Sequence, residues 1–323
     1  MVKVAVVGLG TISATHLQAI ENSHYGELIC TCDTDTSKKM LSPVPFYTDM
    51  LEMVSKEEFD CVHICLPHYL HAEAIKLFAK HKKHIFTEKP VALSYSEGKT
   101  LLKYEEDVKI GVCLQNRYNK TAKVLKEIIQ TQRYGKFLGI KGVVTWCRKQ
   151  NYYDAGPWRG VLQQSGGGVM INQSIHTLDL MQYIVGDFKT IRGNIMNYSL
   201  DDIEVEDTAS AFFEYENGGT GIFFATNAYC ANSSVEIEVV CEEAIIRMQD
   251  HKCDAIKKDN SIERICEDEI REGEKTYYGS SHYLAIEAFH RAIAENTSDY
   301  ITLEEGLKSL KTIQEIMVYS KEG

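Results

Sequence analysis

The sequence predicts an α/β fold of two domains: a doubly wound parallel sheet, then a second domain built on a mostly antiparallel sheet. Three observations predict it. Apolar runs alternate with amphipathic stretches through the first hundred or so residues, the pattern of repeated βα units. The first of those runs ends in Gly8-Leu9-Gly10 and opens directly into a helical pattern. From about Lys136 the texture changes to successive strand-like runs joined by short turns, the mark of an antiparallel sheet.

The opening stretch sets the theme. Residues 4–7 are too rich in β-branched side chains to favour a helix and read as a buried parallel strand. Residues 11–20 then repeat apolar positions at helical spacing. Strand, glycine turn and helix in that order suit a phosphate group. Gly8 permits the tight turn and Gly10 lets the backbone approach a pyrophosphate. The helix start at Thr11 and Ile12 supplies N–H groups and a partial positive charge. Ser13 stands where the usual fingerprint has its third glycine, and Gly-x-Gly alone also fits a plain structural turn. The second signal is Asp33, which closes the run 28–32 and lies 23 positions after Gly10. A carboxylate there accepts hydrogen bonds from an adenosine ribose and repels a 2′-phosphate. The expected cofactor is therefore NAD rather than NADP, with Lys38 and Lys39 as the opposing feature.

The remaining units follow in order. A turn-rich connector with Pro43 and Pro45 precedes a short helical stretch over 49–54. Residues 61–66 form a third strand ended by Pro67, and 69–80 an amphipathic helix on Leu70, Ala74, Leu77 and Phe78. Residues 84–87 are a fourth strand, stopped by Glu88-Lys89-Pro90; a helix over 94–105 leads to a strand over 109–115. In the second half, strands are expected over 137–146, 189–198, 208–215, 220–229, 235–241 and 244–248. Asn217-Gly218-Gly219 marks a hairpin turn between two of them. Helices over 282–295 and 303–319 close the sequence. The boundary falls near 118–121, giving a nucleotide domain over 1–118 and a substrate domain over 119–323.

Composition bounds the function. With 323 residues the chain holds two full cores. Net charge is −11, which excludes the basic face of a general nucleic-acid binder but not an anionic small substrate met by local arginines. No apolar run reaches membrane-spanning length, and the short first run, broken by glycines, does not read as a signal peptide. Ten cysteines lack the spacing of paired zinc ligands; as buried thiols they place the chain in a reducing cytoplasm, and no metal site is expected.

Ligands of doubly wound sheets gather at the carboxyl ends of strands, so the residues just past each strand carry the chemistry. Leu66-Pro67-His68 and His71 are expected to flank the cofactor; His68-x2-His71 also has the spacing of a metal pair, but no third ligand is placed with it. Gln115-Asn116-Arg117-Tyr118 follows the last strand into the same crevice. Lys89 reads in two ways, as a surface turn or as an acid/base group whose pKa a cationic nicotinamide lowers. The segment from Gly166 to Asp179 places three glycines before a helix start. On that helix Asn172 and His176, four apart, share a face, and Asp179 can orient the imidazole. The alternative is an ordinary packing histidine.

Taken together these motifs resemble the glucose–fructose oxidoreductase / inositol dehydrogenase / MocA family of NAD(P)-dependent oxidoreductases. The resemblance rests on Gly8-Leu9-Gly10, Leu66-Pro67-His68 with His71, Glu88-Lys89-Pro90, Gln115-Asn116-Arg117-Tyr118, Trp158-Arg159 and the Gly166 to Asp179 segment. It implies a Rossmann domain followed by an α/β domain whose large open sheet joins dimers or tetramers. It also implies that Lys89 and His176 flank the carbinol of a sugar or polyol, with Glu88 near the nicotinamide ribose. Trp158 and Arg159 resemble residues near nicotinamide or substrate. Many members have aspartate where this chain has Asn172, and an amide accepts no proton; asparagine there, with Arg117 and Tyr118, is expected to hold substrate hydroxyls. The implied activity is hydride transfer at a secondary alcohol or ketone. A redox-neutral glycosidase of the same fold and a non-catalytic NAD-binding sensor are the alternatives.

Overall fold

The computed structural model describes residues 1–199, 202–269 and 281–322. By packing, the chain divides into two units, Met1–Gln115 with His282–Leu307, and Asn116–Ser281 with Lys308–Gly323. One segment of the 119–323 span, His282–Leu307, thus packs with the first unit.

The first unit begins with β1 (Val2–Val7), α1 (Ser13–Glu21), β2 (Gly26–Cys32) and β3 (Phe46–Tyr47). It continues with α2 (Met50–Lys56), β4 (Cys61–Ile64), α3 (His68–Lys80), β5 (His84–Thr87), α4 (Tyr95–Lys99) and β6 (Ile110–Val112). All six strands run parallel in the order β3-β2-β1-β4-β5-β6. Val4 to Val7 are fully buried, as a central strand covered on both faces requires. Two features depart from the sequence pattern. The edge strand β3 is only two residues long, too short for periodicity to show. The helix expected over 94–105 is α4 plus a separate 3₁₀ turn, Leu102–Tyr104. Gly98 weakens helix there, and the Thr100 hydroxyl bonds back to the Glu97 carbonyl at 2.7 Å.

The second unit holds α5 (Lys120–Thr131), β7 (Phe137–Thr145), α6 (Gln150–Asp154), α7 (Leu162–Ser165), α8 (Val169–Asn172) and α9 (Ile175–Val185). Then come β8 (Phe188–Met196), β9 (Thr208–Tyr215), β10 (Thr220–Thr226), β11 (Glu236–Cys241), β12 (Ala244–Gln249), β13 (Lys252–Lys257) and β14 (Ile262–Glu267). The chain closes with α10 (Ser281–Ala294) and α11 (Leu303–Glu322). The sheet order is β14-β13-β12-β11-β7-β10-β9-β8; only β7 and β10 pair in parallel. Strands β13 and β14 escaped the sequence reading. The turn between β12 and β13 places Asp250 and His251 at φ 51° and 62°, so two non-glycine residues do what an Asn-Gly pair usually signals.

Helix α9 lies against β7 because Gly142 has no side chain. A Cβ there would stand 2.5 Å from the Met181 sulfur and 3.0 Å from Thr177. On β9 and β10 burial alternates strictly: Ala211, Phe213, Phe223 and Ala225 point inward, and Phe212, Ile222 and Phe224 remain exposed. Among the described residues no helix is long and apolar enough to cross a membrane.

In the first unit, α10 packs through two glycines. A Cβ on Gly111 of β6 would sit 2.6 Å from the Phe289 ring, and one on Gly26 of β2 would sit 2.5 Å from His290 Nδ1. Phe289 in turn packs on Phe86, with ring centroids 5.3 Å apart. Gly111→Ala is expected to cost about 1–3 kcal/mol by overpacking. Urea unfolding should show the loss, with part of it recovered when Phe289→Leu is added.

Candidate functional site

In the first unit the turn after β1 has the form a phosphate cradle needs. Gly8 has φ +86°, and a Cβ on it would lie 2.5 Å from the Cys65 carbonyl oxygen, so only glycine fits. Gly10 is different: apart from its chain neighbours, no described protein atom lies within 4 Å of where its Cβ would stand. Protein packing does not require that glycine; a group approaching from outside does. Ser13 donates through its hydroxyl to the Gly10 carbonyl at 2.7 Å, and no side chain caps the first turn of α1. Thr11 is exposed and Ile12 half-buried at this helix start, which leaves N–H groups for an anion. The donors and the open approach at Gly10 fit a dinucleotide diphosphate.

Asp33 closes β2 beside this turn. Its carboxylate accepts from the Leu9 backbone N–H at 2.7 Å, the Asp35 N–H at 2.9 Å and the Lys38 ammonium at 2.8 Å. Desolvation opposes its charge, but these donors prevail and lower its pKa. Asp33 is therefore an anion fixed against the glycine turn. Lys38, weighed in the sequence as a phosphate partner, is its counter-ion.

His71 ties the two neighbouring strand ends together. Its Nε2 faces the Leu66 carbonyl at 2.7 Å and its Nδ1 the Pro90 carbonyl at 2.6 Å. The ring thus straps the loop after β4 to the loop after β5, with Leu66 and Pro67 half-buried and His68 buried at the start of α3. Gln115, past β6, is buried, and its side-chain oxygen accepts from the Cys113 thiol at 3.7 Å.

Lys89 stands just past β5. It is partly exposed; desolvation lowers its pKa, against the pull of Glu88 and of Cys113. Glu88 is buried and its carboxylate accepts from His16 Nε2 at 3.1 Å, with His282 Nε2 3.9 Å away. His16 Nδ1 lies 3.0 Å from His63 Nδ1, and His63 Nε2 lies 2.9 Å from His290 Nε2. Burial alone would discharge His16, but the Cys65 sulfur and Glu88 outweigh it and raise its pKa to about 10. Glu88 is correspondingly held well below the usual carboxylate range despite its burial. Burial lowers His282 and His290 to about 4 and His63 well below its ordinary value. These histidines were not among the residues singled out from sequence. The available signal was a histidine inside the buried run 61–66.

In the second unit the glycine segment is not the start of one long helix. Short α8 ends at Asn172 and α9 begins at Ile175, so Asn172 and His176 do not share a face of one continuous helix as their spacing suggested. What breaks the segment is the anchoring of its glycines by Glu206. The carboxylate accepts from Gly168 N–H at 2.8 Å and Met170 N–H at 3.1 Å, and the Glu206 carbonyl accepts from Val169 N–H at 2.9 Å. Asn172 Nδ2 donates to the Gly167 carbonyl at 3.3 Å. Asp179 accepts a two-pronged pair from Arg117, at 2.8 and 2.7 Å, both side chains buried. Arg117, expected to hold substrate, thus anchors α9, the helix that carries buried His176. The Lys123 ammonium sits 5.1 Å over the Tyr118 ring. Arg159 donates to the Tyr152 carbonyl at 2.9 Å and stacks on the Tyr152 ring, with Trp158 half-buried beside it. Glu206 was missed because nothing in its local sequence marks it.

Residues 2–115 match the model of an oxidoreductase family with an NAD-binding Rossmann fold, and residues 122–247 match the GFO/IDH/MocA C-terminal domain. The chain belongs to the GFO/IDH/MocA oxidoreductase family. Its first unit is that family's NAD-binding Rossmann domain. It is 25% identical over 257 residues to scyllo-inositol 2-dehydrogenase (NAD(+)) of Bacillus subtilis, covering 76% of this chain and 73% of that protein. To 2,7-anhydro-N-acetylneuraminate hydratase of Escherichia coli it is 26% identical over 197 residues, covering 58% and 50%. The match spans about half the length of several of these curated relatives. Among solved structures, the WlbA dehydrogenase from Bordetella pertussis, in complex with NADH and UDP-GlcNAcA, superposes with a TM-score of 0.86 at 25% identity, covering 100% of this chain and 97% of that one.

The histidine cluster makes stability depend on pH in both directions. Below the ordinary value of 6.5 the unfolded chain takes up protons that His282 and His290 refuse until about 4 when folded. Stability therefore falls as pH drops from 6.5 towards 4, by up to about 1.4 kcal/mol per pH unit for each such group. Above 6.5 folded His16 keeps a proton that the unfolded chain has lost, so its contribution, complete below 6.5, is lost as pH rises to about 10. Calorimetric melting from pH 4 to 10 should give a maximum near neutrality. His16→Gln should flatten the alkaline side.

Proposed function

We propose that this chain is an NAD-dependent dehydrogenase or reductase. It moves hydride between the nicotinamide and a secondary alcohol or ketone of a sugar, polyol or sugar derivative. One observation carries the reading: an intact diphosphate turn, open at Gly10, in the same parallel sheet whose β5 ends in Glu88-Lys89. The kinship with scyllo-inositol 2-dehydrogenase and the WlbA dehydrogenase supports the substrate class.

Bound NAD supplies the hydride acceptor. The N–H groups at Gly10, Thr11 and Ile12 hold its diphosphate, and Asp33 accepts from its adenosine ribose. Leu66, Pro67, His68, His71, Glu88, Gln115, Trp158 and Arg159 complete its binding. Lys89 polarises the substrate oxygen, and His176 takes the hydroxyl proton on oxidation or returns it on reduction. Asn172 holds a neighbouring hydroxyl and takes no proton, because an amide has no basic site near neutral pH. Tyr118 contacts substrate, and Arg117 acts by fixing Asp179 and with it α9. Ten free thiols suit a reducing cytoplasm.

Kinship with the anhydro-sugar hydratase favours a second reading, a redox-neutral reaction in which NAD is reduced and reoxidised within one turnover. Spectrophotometry with NAD+ and a panel of inositols, levoglucosan and nucleotide sugars separates the two. Net NADH formation is expected, and Lys89→Met should reduce turnover by about 10²–10⁴-fold while NADH binding persists. Turnover of a glycoside without net NADH supports the redox-neutral reading. NADH binding with no turnover of any compound supports a sensor.

The exposed apolar face of the second unit's sheet, with Leu138, Phe212, Ile222 and Phe224, supports assembly into a homodimer or homotetramer. Sedimentation should show an oligomer for the native chain and a monomer for Ile222→Lys combined with Phe224→Lys.

A further inference from the structure

Three imidazoles lie in line through the core of the first unit. Glu88 Oε1 meets His16 Nε2 at 3.1 Å, His16 Nδ1 meets His63 Nδ1 at 3.0 Å, and His63 Nε2 meets His290 Nε2 at 2.9 Å. From His290 Nδ1 the line continues to the Ser23 hydroxyl at 3.3 Å. Ser23 donates to Glu287 Oε2 at 2.5 Å, and Glu287 Oε1 lies 2.9 Å from Nδ1 of His24, whose side chain is 81% exposed. His16, His63 and His290 are each completely buried. We propose that His16, His63 and His290 form a proton wire joining the Glu88 carboxylate, next in sequence to Lys89, to the surface at Ser23, Glu287 and His24.

The donor pattern runs one way along the line. Because the Ser23 hydroxyl donates to Glu287, its oxygen accepts from His290 Nδ1–H; backbone N–H groups of Tyr25 and Gly26, at 3.1 and 2.9 Å, hold that oxygen in place. His290 Nε2 then accepts from His63 Nε2–H, and His63 Nδ1 accepts from His16 Nδ1–H. His16 also keeps Nε2–H for Glu88, so it is the imidazolium of the set. Electrostatics agree independently, with His16 raised and His63 and His290 lowered. The groups facing His16 are Glu88 past β5, His63 and Cys65 at β4 and His282 on α10; Lys89 and Cys113 face Glu88.

Conduction needs four transfers and no other reagent. His16 gives its Nδ1 proton to His63 Nδ1, and His63 gives its Nε2 proton to His290 Nε2. His290 gives its Nδ1 proton to Ser23, whose hydroxyl proton passes to Glu287. His16 loses one proton, Glu287 gains one, and only N–H and O–H bonds change. In its purpose the wire rests on the dehydrogenase reading, since alcohol oxidation leaves a proton to be exported. A metal site is the competing explanation, because Cys61, His63 and His290 present ligand atoms within 4.8 Å of one another. Yet two imidazole nitrogens bound to one tetrahedral zinc stand about 3.3 Å apart. The observed 2.9 Å is a hydrogen-bond distance.

The test needs neither cofactor nor substrate. In full-length protein labelled with ¹⁵N-histidine, the wire predicts ¹⁵N–¹⁵N couplings across the His16–His63 and His63–His290 bonds. It also predicts that His290→Gln, which keeps polarity but cannot relay, slows exchange of the His16 ring N–H protons with water by about tenfold or more. Ser23→Ala, outside the core, should do the same if the glutamine variant does not fold, with Ser23→Thr restoring exchange. Absent couplings, unchanged exchange in the variant measured, or stoichiometric zinc in the purified protein would each overturn the wire. A protein that shows couplings and relay but reduces no NAD+ with any alcohol overturns the dehydrogenase reading instead.

Discussion

The first unit is organised around one buried charge. Glu88 ends β5 with its carboxylate inside the protein, and an isolated carboxylate there would be strongly disfavoured. His16 on α1 supplies the counter-charge, and its second nitrogen must itself be satisfied. That need propagates: His63 must accept from His16, His290 must accept from His63, and α10 must bring His290 within reach. Gly26 and Gly111 remove the side chains that would block α10. Removing either end leaves a polar group stranded, which is why so many separate elements share one constraint.

The second unit solves a related problem by the same means. Its glycine segment exposes backbone N–H groups that no regular helix uses, and the Glu206 carboxylate binds two of them. A Cβ on Gly168 would overlap the Glu206 backbone, so the glycine and the carboxylate are one device. The Arg117–Asp179 pair then fixes α9 from its other side. In both units a buried carboxylate, held by donors distant in sequence, sets the position of the segment carrying the candidate catalytic group.

Much of the architecture was legible because it follows from local chemistry. β-Branched runs, glycine turns and amphipathic spacing marked the parallel strands and the long helices, and Gly8, Gly10 and Asp33 stand where their motif requires. What escaped depends on tertiary contact or on unmarked turns. Strand β3 is too short to have a period, and the hairpin from β12 to β13 bends at Asp250 and His251 instead of glycine. The break between Asn172 and Ile175 is imposed by a glutamate more than thirty residues away. The imidazole line joins positions 16, 63 and 290, which no local pattern connects.

Stability alone is a poor reason for that line. Buried ion pairs are often matched or exceeded by well-packed apolar residues, since desolvating charge consumes most of what pairing returns. A leucine at 63 and a phenylalanine at 290 would fill comparable space without lowering two histidine pKa values, each shift a direct loss of stability in acid. Specificity of packing is no better served, because Phe86, Phe289 and Tyr300 already fix how α10 seats on the sheet. What a chain of imidazoles offers, and hydrocarbon cannot, is a route for protons through a dry core. Its inner end lies at the carboxyl edge of the sheet, next in sequence to Lys89. Its outer end reaches water at the opening of β2.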